Sequence, residues 1–333
     1  MNKLRCLTFL VLVVGLGVSC IACQVPVFRY ALERWEPDPY RLVVLHDGKL
    51  DAALSVTIKK FNQGSSEASL GDRYRRLSTV DVTKTRDPRL LAIVQEHRDL
   101  QLPLLAGFYP ERSAAPLAKP AFVERFNSET LSRLLESPAR NELVKRLTSG
   151  ESAVWIFLPS GDSKKDSAAR DRLEKQLALD AMRLELPSAE EMEIENDVLA
   201  KAKIELKVAF SVLVVDRYDS REKLLVDMLL NSESDLRDFD EPIAFPVFGR
   251  GRVLYALVGK GIQSETIQVA SSFIVGPCSC QVKEQNPGFD LLLDVPWADA
   301  VGSTLISEPI EEESTGPPRR LTIPPGTGKK QQG

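Results

Sequence analysis

Two cysteines one residue apart, Cys278 and Cys280 in GPCSCQVKEQNPG, are the densest group of reactive side chains in a 333-residue chain with five cysteines and two histidines. Three chemistries suit that spacing. A Cys-x-Cys disulfide closes a small strained ring that reduces easily, which serves electron shuttling or disulfide isomerisation. Two thiolates also form a soft site for Cu(I) or Zn(II). His46 and His97 are remote in sequence, so a closed four-ligand zinc site is hard to assemble within one chain, whereas a two-thiolate Cu(I) site asks for less. The third reading is a structural disulfide or a buried thiol pair, since exported cysteines usually end as disulfides. The pair follows a predicted helix, ETIQVASSFIV, whose C-terminal dipole disfavours a thiolate; Lys283 is the nearby cation that would offset it.

Other reactive side chains are sparse. His46-Asp47-Gly48 offers an acid–base pair. Asp47, Asp162 and Asp216 end predicted strands, where open α/β sheets form ligand crevices. The same positions suit turn and helix-cap aspartates. The glycines of GRGRVLYALVGKG precede no helix, so they mark a hairpin and not a phosphate loop. Gly-x-Ser-x-Gly, His-Glu-x-x-His and calcium-loop patterns are absent from the sequence.

The N-terminus decides how the cysteines are read. MNKLRCLTFLVLVVGLGVSCIAC starts with Lys3 and Arg5, continues as an apolar run from Leu7 to Val18, and reaches the small residues Ser19, Cys20 and Ala22. This is the layout of a secretory signal, and the run is too short for a membrane-spanning helix. Removing residues 1–22 moves the net charge from −4 to about −6. No basic block is present, so nucleic acid is not a predicted partner. Ala22-Cys23 resembles a bacterial lipoprotein cleavage site, with Cys20 where that pattern carries leucine. Cys23 is the better lipidation candidate and Cys20, after Ser19, the other; the alternatives are ordinary cleavage that leaves Cys23 free, or an uncleaved anchor. The expected location is the periplasm, or the membrane surface through that lipid.

The elements that must position these groups read as an α/β chain. Residues are 43% hydrophobic and 27% charged, ordinary for a folded globular protein. Phe28, Ala31, Leu32 and Trp35 line one helical face, more a core stripe than a groove. RLVVLH and LPLLAGFYP read as strands and KLDAALSVTIKKF as a helix. SPARNELVKRLTSG is a helix with Ser137 as N-cap, Pro138 in the first turn and Gly150 as stop. SAVWIFLPSGD is a strand and turn; DSAARDRLEKQLALDAMRL is an amphipathic helix. VAFSVLVVDR reads as a central strand covered on both faces, and DSREKLLVDMLLNS as a helix. PIAFPVFGRGRVLYALVGKGI is a hairpin. Strands alternating with helices predict a mixed sheet layered with helices.

From SAVWIFLPSGD to SSFIVG the element order resembles the thioredoxin-like fold. In AFPVFGRGRVLYALVGKG, Pro246, Gly249, Gly251 and Gly259 stand where that fold places a cis-proline, a glycine turn and a strand-ending glycine. The resemblance implies a cis Phe245–Pro246 bond. RLVVLHDGKLDAAL echoes VWIFLPSGDSKKDSAA, which points to a degenerate, related first half. Thioredoxins carry Cys-x-x-Cys at the turn after the first core strand; here that turn is LPSGDSKKD, without a thiol. The expected organisation is a signal peptide at 1–22, an N-terminal α/β region at 23–150, a thioredoxin-like domain at 151–300 and a disordered tail at 301–333. CQVPVFRYALERW, GRGRVLYALVGKGI and GPCSCQVKEQNPG are also similar to stretches of a group of exported bacterial proteins with no established activity. The expected function is non-enzymatic binding of an envelope protein partner, or scaffolding. The rival is thiol-redox or Cu(I) handling by Cys278 and Cys280.

Overall fold

The computed structural model describes residues 24–64, 75–113, 115–116, 119–135, 137–277, 283, 286–302 and 304–306. Helix α1 (Val27–Arg34) comes first, then β1 (Tyr40–His46), α2 (Ala52–Gly64), β2 (Arg75–Asp81), α3 (Pro88–Glu96), β3 (Leu104–Phe108), β4 (Phe122–Arg125) and α4 (Ser128–Leu135). Helix α5 (Pro138–Thr148) leads to β5 (Ala153–Leu158), α6 (Ser163–Arg183), α7 (Asn196–Lys201), β6 (Phe210–Val214), α8 (Lys223–Leu230), β7 (Ile243–Phe248), β8 (Arg252–Val253) and β9 (Leu257–Val258). Helix α9 (Ser264–Val275), β10 (Phe289–Asp290) and α10 (Trp297–Val301) close the described chain.

The architecture is α/β, two mixed sheets layered with helices. The first sheet runs β2-β1-β3-β4 and the second β10-β8-β7-β5-β6, with β9 also pairing β7. In each half the first two strands are parallel, and the third and fourth add antiparallel on the other side. The path β1–β4 is thus repeated in strand order and direction by β5–β8.

Side-chain alternation assigns the faces. Val154, Ile156 and Leu158 of β5 join one core, and Ala153, Trp155 and Phe157 the other, because successive residues of a strand point to opposite faces. The first of these cores is shared between the sheets. Leu42 and Val44 of β1, Leu143 and Leu147 of α5, and Leu225 and Leu229 of α8 all enter it. The opposite face of the first sheet packs Val43, Leu45, Leu104 and Ala106 against Leu90 and Ile93 of α3.

Helix α1 precedes the first sheet but packs on the second. Its Phe28 and Ala31 join Trp35, Trp155, Phe248 and Ile274 in one cluster. Arg250 donates through Nε to Leu32 O (2.8 Å) and through Nη2 to Glu33 O (2.9 Å). Gly249 takes φ +59°, and a Cβ there would come within 2.6 Å of the Ala31 Cβ, so both conformation and space call for glycine.

Four expectations change. VAFSVLVVDR forms β6, an edge strand whose side chains are half-buried up to the exposed Val214, because β5 is its one strand neighbour among the described residues. Arg146 Nη1 donates to Val212 O and Ser211 Oγ on that strand (both 3.1 Å). The Phe245–Pro246 bond is trans; the cis bond among the described residues is Leu102–Pro103, just before β3. Pro246 instead sits inside β7 opposite Trp155, its carbonyl accepting from Leu254 N (3.0 Å). Helix α6 begins at Ser163, ahead of the predicted Asp166, because Asp162 caps it by accepting from Lys164 N and Lys165 N. The ordered chain also runs past residue 301: Leu305 is buried, and the amides of Leu305 and Ile306 donate to the buried Glu33 carboxylate. Strands β2, β4 and β10 and helices α3, α4, α7 and α10 went unread in the sequence.

Candidate functional site: a buried charge cluster beneath an arginine-lined cavity

Cys23, Cys278 and Cys280 lie outside the described residues. Their described neighbours are held firmly. On one side Val27 N donates to Gly276 O (3.0 Å), and Pro26 and Pro277 form an isolated antiparallel bridge. On the other, Lys283 is buried, and its ammonium is committed to Asp290 and Asp38 and to Glu36 O. The cation that sequence reasoning placed beside the thiols therefore serves a carboxylate cluster.

The other sequence candidates make turns and caps. His46 Nδ1–H donates to Gly48 O (2.9 Å). His97 ends α3. Asp47 is exposed at the bend after β1. Asp162 caps α6, and Asp216 accepts from Tyr218 N (2.9 Å). Asp51 accepts from Ala53 N (2.8 Å) at the start of α2. Asp166 accepts from Ser160 N, Ser160 Oγ and Gly161 N. At both turns where the resemblance would place a thiol pair, aspartates occupy the local amide and hydroxyl donors.

The structure draws together a set of residues that sequence reasoning did not single out. Asp290, in β10, is buried between two cations. Arg252 Nη1 donates to its Oδ1 (3.1 Å), and Lys283 pairs with its Oδ2. Asp38 N also donates to Oδ2 (2.8 Å), and Lys283 lies 3.1 Å from Asp38 Oδ2. Arg252 completes its donors on Pro287 O and Asn286 O, with its guanidinium 5.6 Å from the centre of the Trp35 ring. Tyr40 O–H donates to Asp290 O (2.8 Å). Tyr40 and Tyr109 rings tilt together at 6.0 Å, and Tyr109 O–H donates to Met228 O.

Burial would raise the Asp290 carboxyl, but Lys283 and Arg252 hold it below the ordinary aspartate value. Asp38 goes the other way: burial, then the Asp290 charge, raise it against the pull of Lys283. Burial also pushes the Tyr40 and Tyr109 hydroxyls upward, so both remain neutral donors near pH 7. Two carboxylates against two fixed cations give a nearly balanced cluster, as buried charge requires.

Above this cluster lies a cavity of about 820 Å³. Asp38 and Tyr40 belong to both. The remaining walls come from the start of β1, the end of β3 and the first turn of α3, and they bring Arg41, Arg89 and Arg112 to one opening. A hint was available in EPDPYR and GFDLLLD, where an aspartate stands among prolines or apolar residues and has no helical surface to occupy.

Among the described residues no group of three or more histidine, cysteine, aspartate or glutamate side chains could hold a metal ion, and no helix is long and apolar enough to cross a membrane. No family model matches the chain, and no curated protein is similar to it in sequence.

Proposed function

We propose that this chain is an exported envelope protein that binds a partner or scaffolds an assembly, on two degenerate thioredoxin-like units, without thiol chemistry at the strand-to-helix turns. One observation carries the reading. Asp51, Asp162 and Asp166 accept from the amide donors at those turns, where a redox unit would need a thiolate stabilised by the helix N-terminus. The strand path of β1–β4, repeated in β5–β8, supports two related units. Lipidation at Cys23 would tether the protein to the membrane surface.

The rival, thiol-redox or Cu(I) handling by Cys278 and Cys280, loses one support, since Lys283 is bound by Asp290 and Asp38. Dithiol–disulfide exchange with a peptide disulfide, run on the full exported chain and on the Cys278→Ser/Cys280→Ser double variant, separates the two. The expected rate equals the uncatalysed background in both proteins. A rate above background that disappears in the double variant, or stoichiometric Cu(I) retained by the reduced chain alone, would sink the proposal. Intact mass of the exported chain is expected to show loss of residues 1–22 and a lipid on Cys23.

A further inference from the structure

We infer that the cavity between β1, β3 and α3 binds an organic anion, a carboxylate or phosphate attached to an apolar body, with Arg41 and Arg89 reading the charge. The inference deepens the binding reading above but does not depend on the thiol question. Its size falls within the range of small-ligand sites, about 300–1,000 Å³. Tyr40, Phe108 and Tyr109 form an apolar wall, suited to an aromatic or branched aliphatic body.

Arg41, Arg89 and Arg112 line the opening with Glu111 and Asp38; Asp87 pairs with Arg89, and the Asp38 carboxylate already has Lys283 at 3.1 Å. Arg41 has no carboxylate at ion-pair distance among the described residues. Its guanidinium stacks over the Phe108 ring, 4.6 Å from the centroid. A ring contact of this kind occupies the face of a guanidinium and not its N–H groups, with which arginine grips carboxylates and phosphates through paired hydrogen bonds. Arg89 uses Nε and Nη2 on Asp87 (3.3 and 3.2 Å), so Asp87 orients it while Nη1 is left for a ligand. Beneath the opening, the neutral Tyr40 and Tyr109 hydroxyls are bound to Asp290 O and Met228 O. The floor is therefore set by protein contacts before any ligand arrives, which spares a binding event that ordering cost.

The test uses the full exported chain and a fluorescent aromatic anion, anilinonaphthalene sulfonate, displaced by benzoate, phenyl phosphate or the neutral isostere benzamide. Saturable binding is expected, with both anions displacing the probe and benzamide weaker by about tenfold or more, one charged hydrogen-bond pair's worth. The ratio of benzoate to phenyl phosphate tells which anion the site prefers. Arg41→Gln with Arg89→Gln should weaken both anions by about tenfold or more and leave benzamide unchanged. Both side chains are exposed, so thermal melting should match the parent. Lys164→Gln, an exposed cation at the start of α6, should leave every affinity in place. Equal displacement by benzamide and benzoate, or undiminished anion affinity in the arginine double variant, overturns the inference. A negative result here with background thiol exchange rejects the anion site and leaves the binding reading standing.

Discussion

Asp290 and Asp38 share one lysine, yet the fold treats them oppositely. Asp290 is held below its ordinary value by Lys283 and Arg252 against its own burial. The folded protein then binds fewer protons there than the unfolded chain does. The stabilisation is complete above about pH 4, the unfolded aspartate value, and is lost as pH falls through the lower folded one. Asp38, raised by burial and by Asp290, opposes folding increasingly as pH climbs above its unfolded value. Asp290→Asn removes the carboxylate of the buried Arg252 and leaves Lys283 with Asp38, and should cost about 3–5 kcal/mol at neutral pH, with the gap to the parent narrowing in strong acid. Asp38→Asn should cost far less, and should gain on the parent as pH rises from about 3 to 7. Urea melts across that range check both; parallel profiles for the two variants and the parent would refute the assignment. The pairing was not legible from local sequence, because Asp38 and Asp290 are 252 residues apart. The turn aspartates, by contrast, were readable, since each acts within a few residues of itself.

At the scale of elements, what could be read depended on how much each element buries. Strands β1, β5 and β7 are apolar runs buried almost throughout, and helix α5 carries its Ser137-Pro138 start signal in plain view. Strand β2 is a polar edge, RRLSTVD, and β4 has four residues, so neither leaves a pattern long enough to recognise. Helix α3 had a usable signal in Asp87-Pro88, a cap that accepts from Arg89 N, but its nine residues sit beyond an unassigned stretch. Strand β6 misled because its composition is that of a central strand while its place is an edge. Short β4 is fixed by one close fit. Gly107 of β3 lies opposite Phe122 of β4, and a Cβ on Gly107 would collide with the Phe122 ring. Gly107→Ala should therefore destabilise the protein by about 1–3 kcal/mol. In a double-mutant cycle, Phe122→Leu should recover part of that loss. Strict additivity of the two changes would show that the ring does not set the constraint.

Across the whole molecule, the two ends of the described chain close on one carboxylate. Glu33 is buried, pairs with Arg29, and accepts from the amides of Leu305 and Ile306. Glu33→Ala would leave Arg29 buried without its partner and should cost about 3–5 kcal/mol. Limited proteolysis of that variant should cut near residues 302–306 before any cut in the sheets; a parent-like digestion pattern would show that the carboxylate does not hold this segment. The overall α/β class could be read from the order of elements. The crossing of α1 to the second sheet could not, because a helix's apolar stripe says that it packs and not where. That crossing matters during synthesis. Leu32 and Arg250, which bond across it, are 218 residues apart. At about 5–20 residues per second, the ribosome makes Arg250 about 10–40 s after Leu32. Through that interval strands β1–β4 can complete their sheet, while the Phe28 and Ala31 stripe has no sheet to cover. The stripe stays uncovered until both β7 and the later α9 are made, since α1 packs on the two together.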